Sequence, residues 1–176
     1  MKIIYLNGFM ASGKSTIGPI LANTLGWEFF DLDKVIEEEI GKKVVDIFRD
    51  EGEEFFRRKE SETLQLLSKS EFAVISLGGG TATFEQNIEI LRKTGKVIYL
   101  KTSVESLYKR LRNKKDRPLF NEEISGVKKE EIKDRIIHLL DMREPYYRRA
   151  DYIINTDEYP LGVTVDKIVK LLRKSL

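Results

Sequence analysis

The chain has 176 residues, 41% hydrophobic and 34% charged, which fits one globular domain large enough to bury a core. Its formal net charge of +2 gives no reason to expect a nucleic-acid or membrane surface. It has no cysteine, which excludes disulfides, thiolate metal sites and cysteine nucleophiles.

Residues 2–7 read as a short buried strand, with no targeting segment before it and no membrane span after it, so a cytoplasmic protein is expected. Residues 14–25 read as a helix with Ile17, Ile20, Leu21 and Leu25 on one side. A second strand, 28–31, ends in Asp31-Leu32-Asp33. Residues 34–68 read as helical with a break near Gly41. They are too many for a simple crossover, so a substrate-binding region is expected there, over 33–61. Residues 72–76 form a third strand, stopped by Gly78-Gly79-Gly80. A helix over 84–93 leads to a fourth strand, 96–100, after which Thr102 and Glu105 would form a capping box. Residues 112–126 are polar, basic at their start and contain Pro118, and read as a lid. A long helix over 129–143, a fifth strand over 152–155 and a helix over 163–173 close the chain. Strands alternating with helices predict an α/β domain with a parallel sheet, and residues 1–176 read as a single domain.

Gly8-Phe9-Met10-Ala11-Ser12-Gly13-Lys14-Ser15 satisfies the phosphate-loop pattern G-x-x-x-x-G-K-[ST]. It follows a strand and opens a helix, as its mechanism requires. Glycines let successive backbone N–H groups point at one anion, and the helix adds the positive end of its dipole. Lys14 can reach the outer phosphates of ATP, and the Ser15 hydroxyl can bind Mg²⁺. Mg²⁺ also wants a carboxylate, and the third strand ends Ile75-Ser76-Leu77-Gly78 without one. Asp31 and Asp33, at the carboxyl end of the second strand, are the candidates; capping the next helix is their other reading.

With these blocks the chain resembles shikimate kinase over essentially its whole length. The resemblance rests on residues 8–16, Asp31-Leu32-Asp33, the segment GEEFFRRKE at 52–60, Gly78-Gly79-Gly80, and Arg117-Pro118-Leu119 followed by Arg143-x-Pro145-x-Tyr147. It implies a three-layer P-loop kinase fold with a five-stranded parallel sheet in the order 2-3-1-4-5, flanked by helices, with a lid. It implies transfer of the ATP γ-phosphate to the shikimate 3-hydroxyl. By the same resemblance Gly8, Ala11, Ser12, Gly13, Lys14, Ser15 and Thr16 bind ATP, and Ser15 and Asp31 serve Mg²⁺. Asp33 meets the shikimate hydroxyls and is a candidate proton acceptor, while Arg57 and Arg143 hold the carboxylate. Gly78, Gly79 and Gly80 approach substrate and γ-phosphate, Arg117 closes over the phosphates, and Arg110 stacks on adenine. Lys14, Asp33 and Arg117 are the expected catalytic residues, shikimate and ATP the expected partners, and a monomer the expected state. The sequence departs from the family at Gly18-Pro19, where Gly-Arg is common; a proline there removes one helical hydrogen bond and puts the regularity of the first helix in doubt.

Helical geometry gives an independent reading of the arginines. At about 100° per residue from Ile132, Ile136 falls near ~40°, Leu139 near ~340° and Arg143 near ~20°. A charge inside an apolar stripe is costly unless it meets an anion. A structural salt bridge, or a helix end before Pro145, are the alternatives. His138 falls away from the stripe and receives no role. From Phe55, the apolar arc runs through Leu66 (~20°), Phe56 (~100°), Leu67 (~120°) and Leu64 (~180°), with Arg57 at its edge (~200°) and Arg58 outside it (~300°). Two arginines predict a carboxylate-bearing substrate but not its ring. A gluconate or nucleoside-monophosphate kinase therefore stays open as an alternative. So does a non-catalytic ligand-binding domain, against which Lys14, Ser15, Asp31, Asp33 and Arg117 stand intact.

Overall fold

Successive residues of a strand face opposite sides of its sheet, and here both sides are apolar. In the computed structural model, which describes residues 3–112 and 128–173, Ile3 and Tyr5 of β1 (Ile3–Asn7) join one buried cluster while Ile4 and Leu6 join another. β2 (Glu28–Asp31), β3 (Ala73–Ser76), β4 (Lys96–Lys101) and β5 (Tyr152–Asn155) complete a five-stranded sheet in the order β2-β3-β1-β4-β5. All its pairings are parallel.

Parallel neighbours need crossovers, and helices supply them on both faces. α1 (Lys14–Leu25) and α7 (Leu161–Arg173) cover the face of Ile4, Leu6, Val74 and Ile98. α2 (Leu32–Ile40), α3 (Val44–Leu67) and α4 (Glu85–Thr94) cover the opposite face through Leu32, Ile36, Phe56, Leu64 and Leu91. α5 (Val104–Leu111) and α6 (Lys129–Tyr147) build a third cluster with Phe9 and Tyr99. The three layers and the strand order agree with the α/β expectation. Among the described residues no helix is long and apolar enough to cross a membrane.

Several local expectations need correction. Gly41 ends α2 as expected, but Gly52 (φ 86°, ψ 170°) breaks the following segment a second time. The predicted Thr102–Glu105 capping box does not form. Ser103 caps α5 instead, its hydroxyl accepting from the Ser106 N–H at 3.3 Å, while Thr102 pairs with Thr156 and Glu105 with Lys133. Ile20 is 40% exposed, because α1 turns Gly18 and Ala22 inward and the Phe29 ring lies over Gly18. Leu66 is likewise exposed, at 64%. α1 runs on through Pro19, and α6 runs on through Pro145 to Tyr147. Each proline removes one helical hydrogen bond without ending its helix. Arg143 therefore lies inside a helix rather than past its end.

Candidate active site

The loops after β1, β3 and β5 and the junction of β2 with α2 open onto one cleft of about 790 Å³ at the carboxyl ends of the strands. Ala11, Ser12, Gly13, Lys14, Ser15, Thr16, Asp31, Asp33, Arg57, Gly78, Gly79, Gly80, Arg110 and Arg143 all line it. Gly8 is buried at the start of the loop after β1. Arg117 and most of the expected lid lie outside the described residues.

The phosphate loop has the backbone its glycines predict. Gly8 (φ 144°) passes so close to β4 that a Cβ there would sit 2.8 Å from the Leu100 carbonyl oxygen. Ala11 adopts a left-handed conformation (φ 61°) and Gly13 (φ 107°) stands immediately before α1. Lys14 is 8% exposed, and its Nζ is folded onto the loop's own carbonyls, Gly8 at 2.8 Å and Phe9 at 2.9 Å.

The Ser15 hydroxyl donates to Asp31 Oδ2 at 2.9 Å, while Asp31 Oδ1 accepts from the Lys34 N–H at 3.4 Å and caps α2. Asp31 thus caps α2, one of the two readings of the sequence, and at the same time keeps its other oxygen on Ser15. Among the described residues no group of three or more His, Cys, Asp or Glu could hold a metal. Mg²⁺ needs no such group, since it keeps water and phosphate oxygens and takes one or two protein ligands. The adjacent hydroxyl and carboxylate oxygens of Ser15 and Asp31 fit that demand.

At the other end of the cleft, Arg57 is held from several directions. Its Nη1 donates to Glu60 Oε2 at 2.8 Å, and Nε and Nη2 donate to Glu53 at 3.2 and 3.1 Å. Its guanidinium also lies 5.5–5.7 Å from the ring centroids of Phe48, Phe56 and Phe84. Burial alone would lower the Arg57 pKa, but the charge and hydrogen bond of Glu60, with help from Glu53, leave it above its ordinary value. Glu60 is 0% exposed and takes a second hydrogen bond, 2.5 Å, from the Thr81 hydroxyl.

The turn at 78–80 is glycine because these side chains crowd it. A Cβ on Gly80 would lie 2.6 Å from Arg57 Nη1, and one on Gly78 would lie 2.5 Å from Glu60 Oε1 and 2.8 Å from Asp33 Oδ1. A Cβ on Gly79 would lie 3.4 Å from Arg143 Nη1. Asp33, Arg57 and Arg143, from three different helices, therefore meet on one turn. The buried Tyr147 hydroxyl donates to the Gly79 carbonyl, on the same glycine that Arg143 Nη1 approaches.

Arg110 stands at the third corner. Its Nη1 donates to the strained Ala11 carbonyl at 3.0 Å, and its Nη2 lies 3.8 Å from Asp157. Thr156, Tyr159, Leu161 and Thr164 line the cleft on this side.

Glu60 and Tyr147 stand in the sequence blocks named above but received no site role from them, and this last wall was not foreseen. Glu60 had a signal: on the α3 wheel it falls near ~140°, between Leu67 and Leu64, an acid in the middle of the apolar arc. Tyr147 had one too, four residues after Arg143 and so on the same helical face. The β5 wall followed from the rule that ligands sit at carboxyl ends of strands. His138 is exposed.

The comparisons with known proteins agree with one another. The shikimate kinase family model matches residues 10–173. The shikimate kinase of Chlorobium chlorochromatii is 45% identical, covering 98% of this chain and 92% of its own. That of Chloroherpeton thalassium is 44% identical over 99% of this chain and 94% of its own. Among solved structures, the shikimate kinase of Acinetobacter baumannii in complex with shikimate superposes with a TM-score of 0.89 at 37% identity, covering 99% of this chain and 94% of that one. The shikimate kinase of Bacteroides thetaiotaomicron gives 0.88 at 35% identity, with 98% of each chain covered.

Proposed function

The chain belongs to the shikimate kinase family, and from that premise we propose how its own residues transfer the γ-phosphate of ATP to the shikimate 3-hydroxyl. It is an ATP-dependent phosphotransferase of the shikimate pathway, which leads to the aromatic amino acids. Phosphoryl transfer asks a protein for placement and charge stabilisation more than for covalent chemistry.

The observation that carries the reading is the convergence of Asp33, Arg57 and Arg143 on the 78–80 turn, in the same cleft as the phosphate loop. Two guanidinium groups at one end suit a carboxylate and would fix both its position and its plane. Asp33 then meets the ring hydroxyls, orients the attacking one and is the candidate to accept its proton. The N–H groups of residues 8–16 cradle the phosphates. Lys14 leaves the Gly8 and Phe9 carbonyls for the outer phosphates, where an ammonium is a better match than to neutral acceptors. Mg²⁺ is part of the proposal: Ser15 and Asp31 would hold it, and when bound it neutralises charge on the phosphate oxygens. Arg110, with Thr156 and Tyr159, lies where the adenine would rest. Residues 33–61 form the acceptor region in this account. Residues 112–126 are the proposed lid, with Arg117, outside the described residues, directed at the transferring phosphoryl group.

The test is a coupled assay of ADP formation by the pure protein across a panel of acceptors, with shikimate, gluconate and a nucleoside monophosphate. Turnover with shikimate alone supports the account, and none with shikimate overturns it.

A further inference from the structure

Tyr147 is the last residue of α6 and is wholly buried, at 0% exposure. A buried phenol must find partners for its hydroxyl, and here both neighbours of that hydroxyl belong to the site. The hydroxyl donates to the Gly79 carbonyl and stands beside the Arg143 guanidinium, one turn earlier on the same helical face: a Cβ on Gly79 would lie 3.9 Å from the Tyr147 hydroxyl and 3.4 Å from Arg143 Nη1. The ring is fixed by Tyr99, centroid to centroid 5.3 Å at 45°, within the cluster of Phe9, Leu107, Ile132 and Ile136. Gly79 faces the phosphate loop as well: a Cβ on it would lie 3.7 Å from the Met10 nitrogen. One hydroxyl thus stands where Arg143 meets the turn that separates the arginines from the phosphate loop.

We propose that Tyr147 is a positioning residue for the acceptor, its hydroxyl pinning the Arg143 guanidinium to the 78–80 turn so that the carboxylate is gripped in one orientation relative to the phosphate loop. The proposal rests on Arg143 holding that carboxylate. A free arginine side chain has many rotamers, and its planar fork is selective only when its plane is set beforehand. The phenol suits this task because burial pushes its pKa up to about 12, against the lowering pull of Arg143. It therefore stays a neutral group that can donate and accept at once.

The experiment measures KM for both substrates and the melting temperature in Tyr147→Phe, Tyr99→Phe and Arg143→Ala. Tyr147→Phe removes only the hydroxyl and is expected to raise the KM for shikimate about tenfold while changing that for ATP by less than about twofold. Tyr99→Phe, which deletes the neighbouring buried hydroxyl, is expected to leave both KM values near the parent's. If Arg143→Ala raises the shikimate KM and Tyr147→Phe does not, the positioning role falls and the carboxylate reading stands. If Arg143→Ala leaves the shikimate KM unchanged, both fall together. Losses spread equally over the two substrates, or shared by Tyr99→Phe with a lower melting temperature, mean general softening of the core and also overturn the proposal.

Discussion

Arg57 donates to Glu60 over 2.8 Å, one helical turn apart on α3, and Glu60 is the fully buried member of the pair. Glu60 spends its other oxygen on Thr81, just past the glycine turn. The arginine assigned to the acceptor is therefore anchored from behind by a residue that lines the cleft without being a candidate for catalysis. Removing one member of a buried pair leaves the other uncompensated, which costs several kcal/mol when both are fully enclosed. Arg57 keeps 18% of its side chain exposed, so the cost is smaller. Glu60→Gln is expected to lose about 2 kcal/mol of stability by urea unfolding and to weaken shikimate binding with ATP binding unaltered. Unchanged shikimate affinity would show that Glu60 does not set the Arg57 geometry.

Gly80→Ala separates site from scaffold. Gly80 has φ −107°, ordinary backbone for any residue, so alanine brings no conformational strain. The new methyl would sit 2.6 Å from Arg57 Nη1, the far end of a side chain that can move away. Displacing the guanidinium also loosens its pair with buried Glu60, so the melting temperature should fall no further than in Glu60→Gln while shikimate affinity drops by about tenfold or more, as expected when a charge-assisted hydrogen bond is lost. A collapse in stability with affinity retained would place the tight packing elsewhere.

Asp31 caps α2 and touches Ser15, and two substitutions split those roles. Asparagine caps a helix as well as aspartate does, whereas alanine costs about 1 kcal/mol. Asp31→Asn should keep the parent's stability and raise the Mg²⁺ concentration for half-maximal activity, and Asp31→Ala should do both kinds of damage. An Asp31→Asn enzyme with unaltered Mg²⁺ dependence would reduce Asp31 to a cap.

The Tyr147 phenol gives a stability signature in alkali. Its pKa rises from 10.0 unfolded to about 12 folded, chiefly by burial. A raised folded value means that its contribution is complete below pH 10 and disappears as pH climbs towards 12. Two pKa units correspond to about 2–3 kcal/mol. The stability difference between the parent and Tyr147→Phe should be constant up to about pH 10 and shrink above it. A difference independent of pH through that window would contradict burial of the neutral phenol.

The layers of the fold were legible because strands buried on both faces read as unbroken apolar runs, and each was followed by a helical period. The phosphate loop was legible because its chemistry is local in sequence. Asp33, Arg57 and Arg143 were placed by resemblance and by helical angle, yet the angle for Leu66 misled, since the true stripe on α3 centres nearer Leu67 and Glu60. Ile20 failed for a related reason: hydrophobicity marks candidates for burial, but the small residues Gly18 and Ala22 let α1 approach the sheet. The Ser103 cap was missed by one position, which only the hydrogen bond could decide. Glu60 and Tyr147 act through contacts with a distant turn, and sequence spacing hints at their faces without revealing that Gly79 and Thr81 lie opposite.

The central claim is that Arg57 and Arg143 recognise the acceptor's carboxylate while the phosphate loop recognises the nucleotide. Titration calorimetry of Arg143→Ala with shikimate and with ATP tests it most directly. The account predicts that shikimate affinity falls at least about tenfold, a loss of about 1.4 kcal/mol, with ATP affinity near the parent's. Equal losses for the two ligands would contradict it.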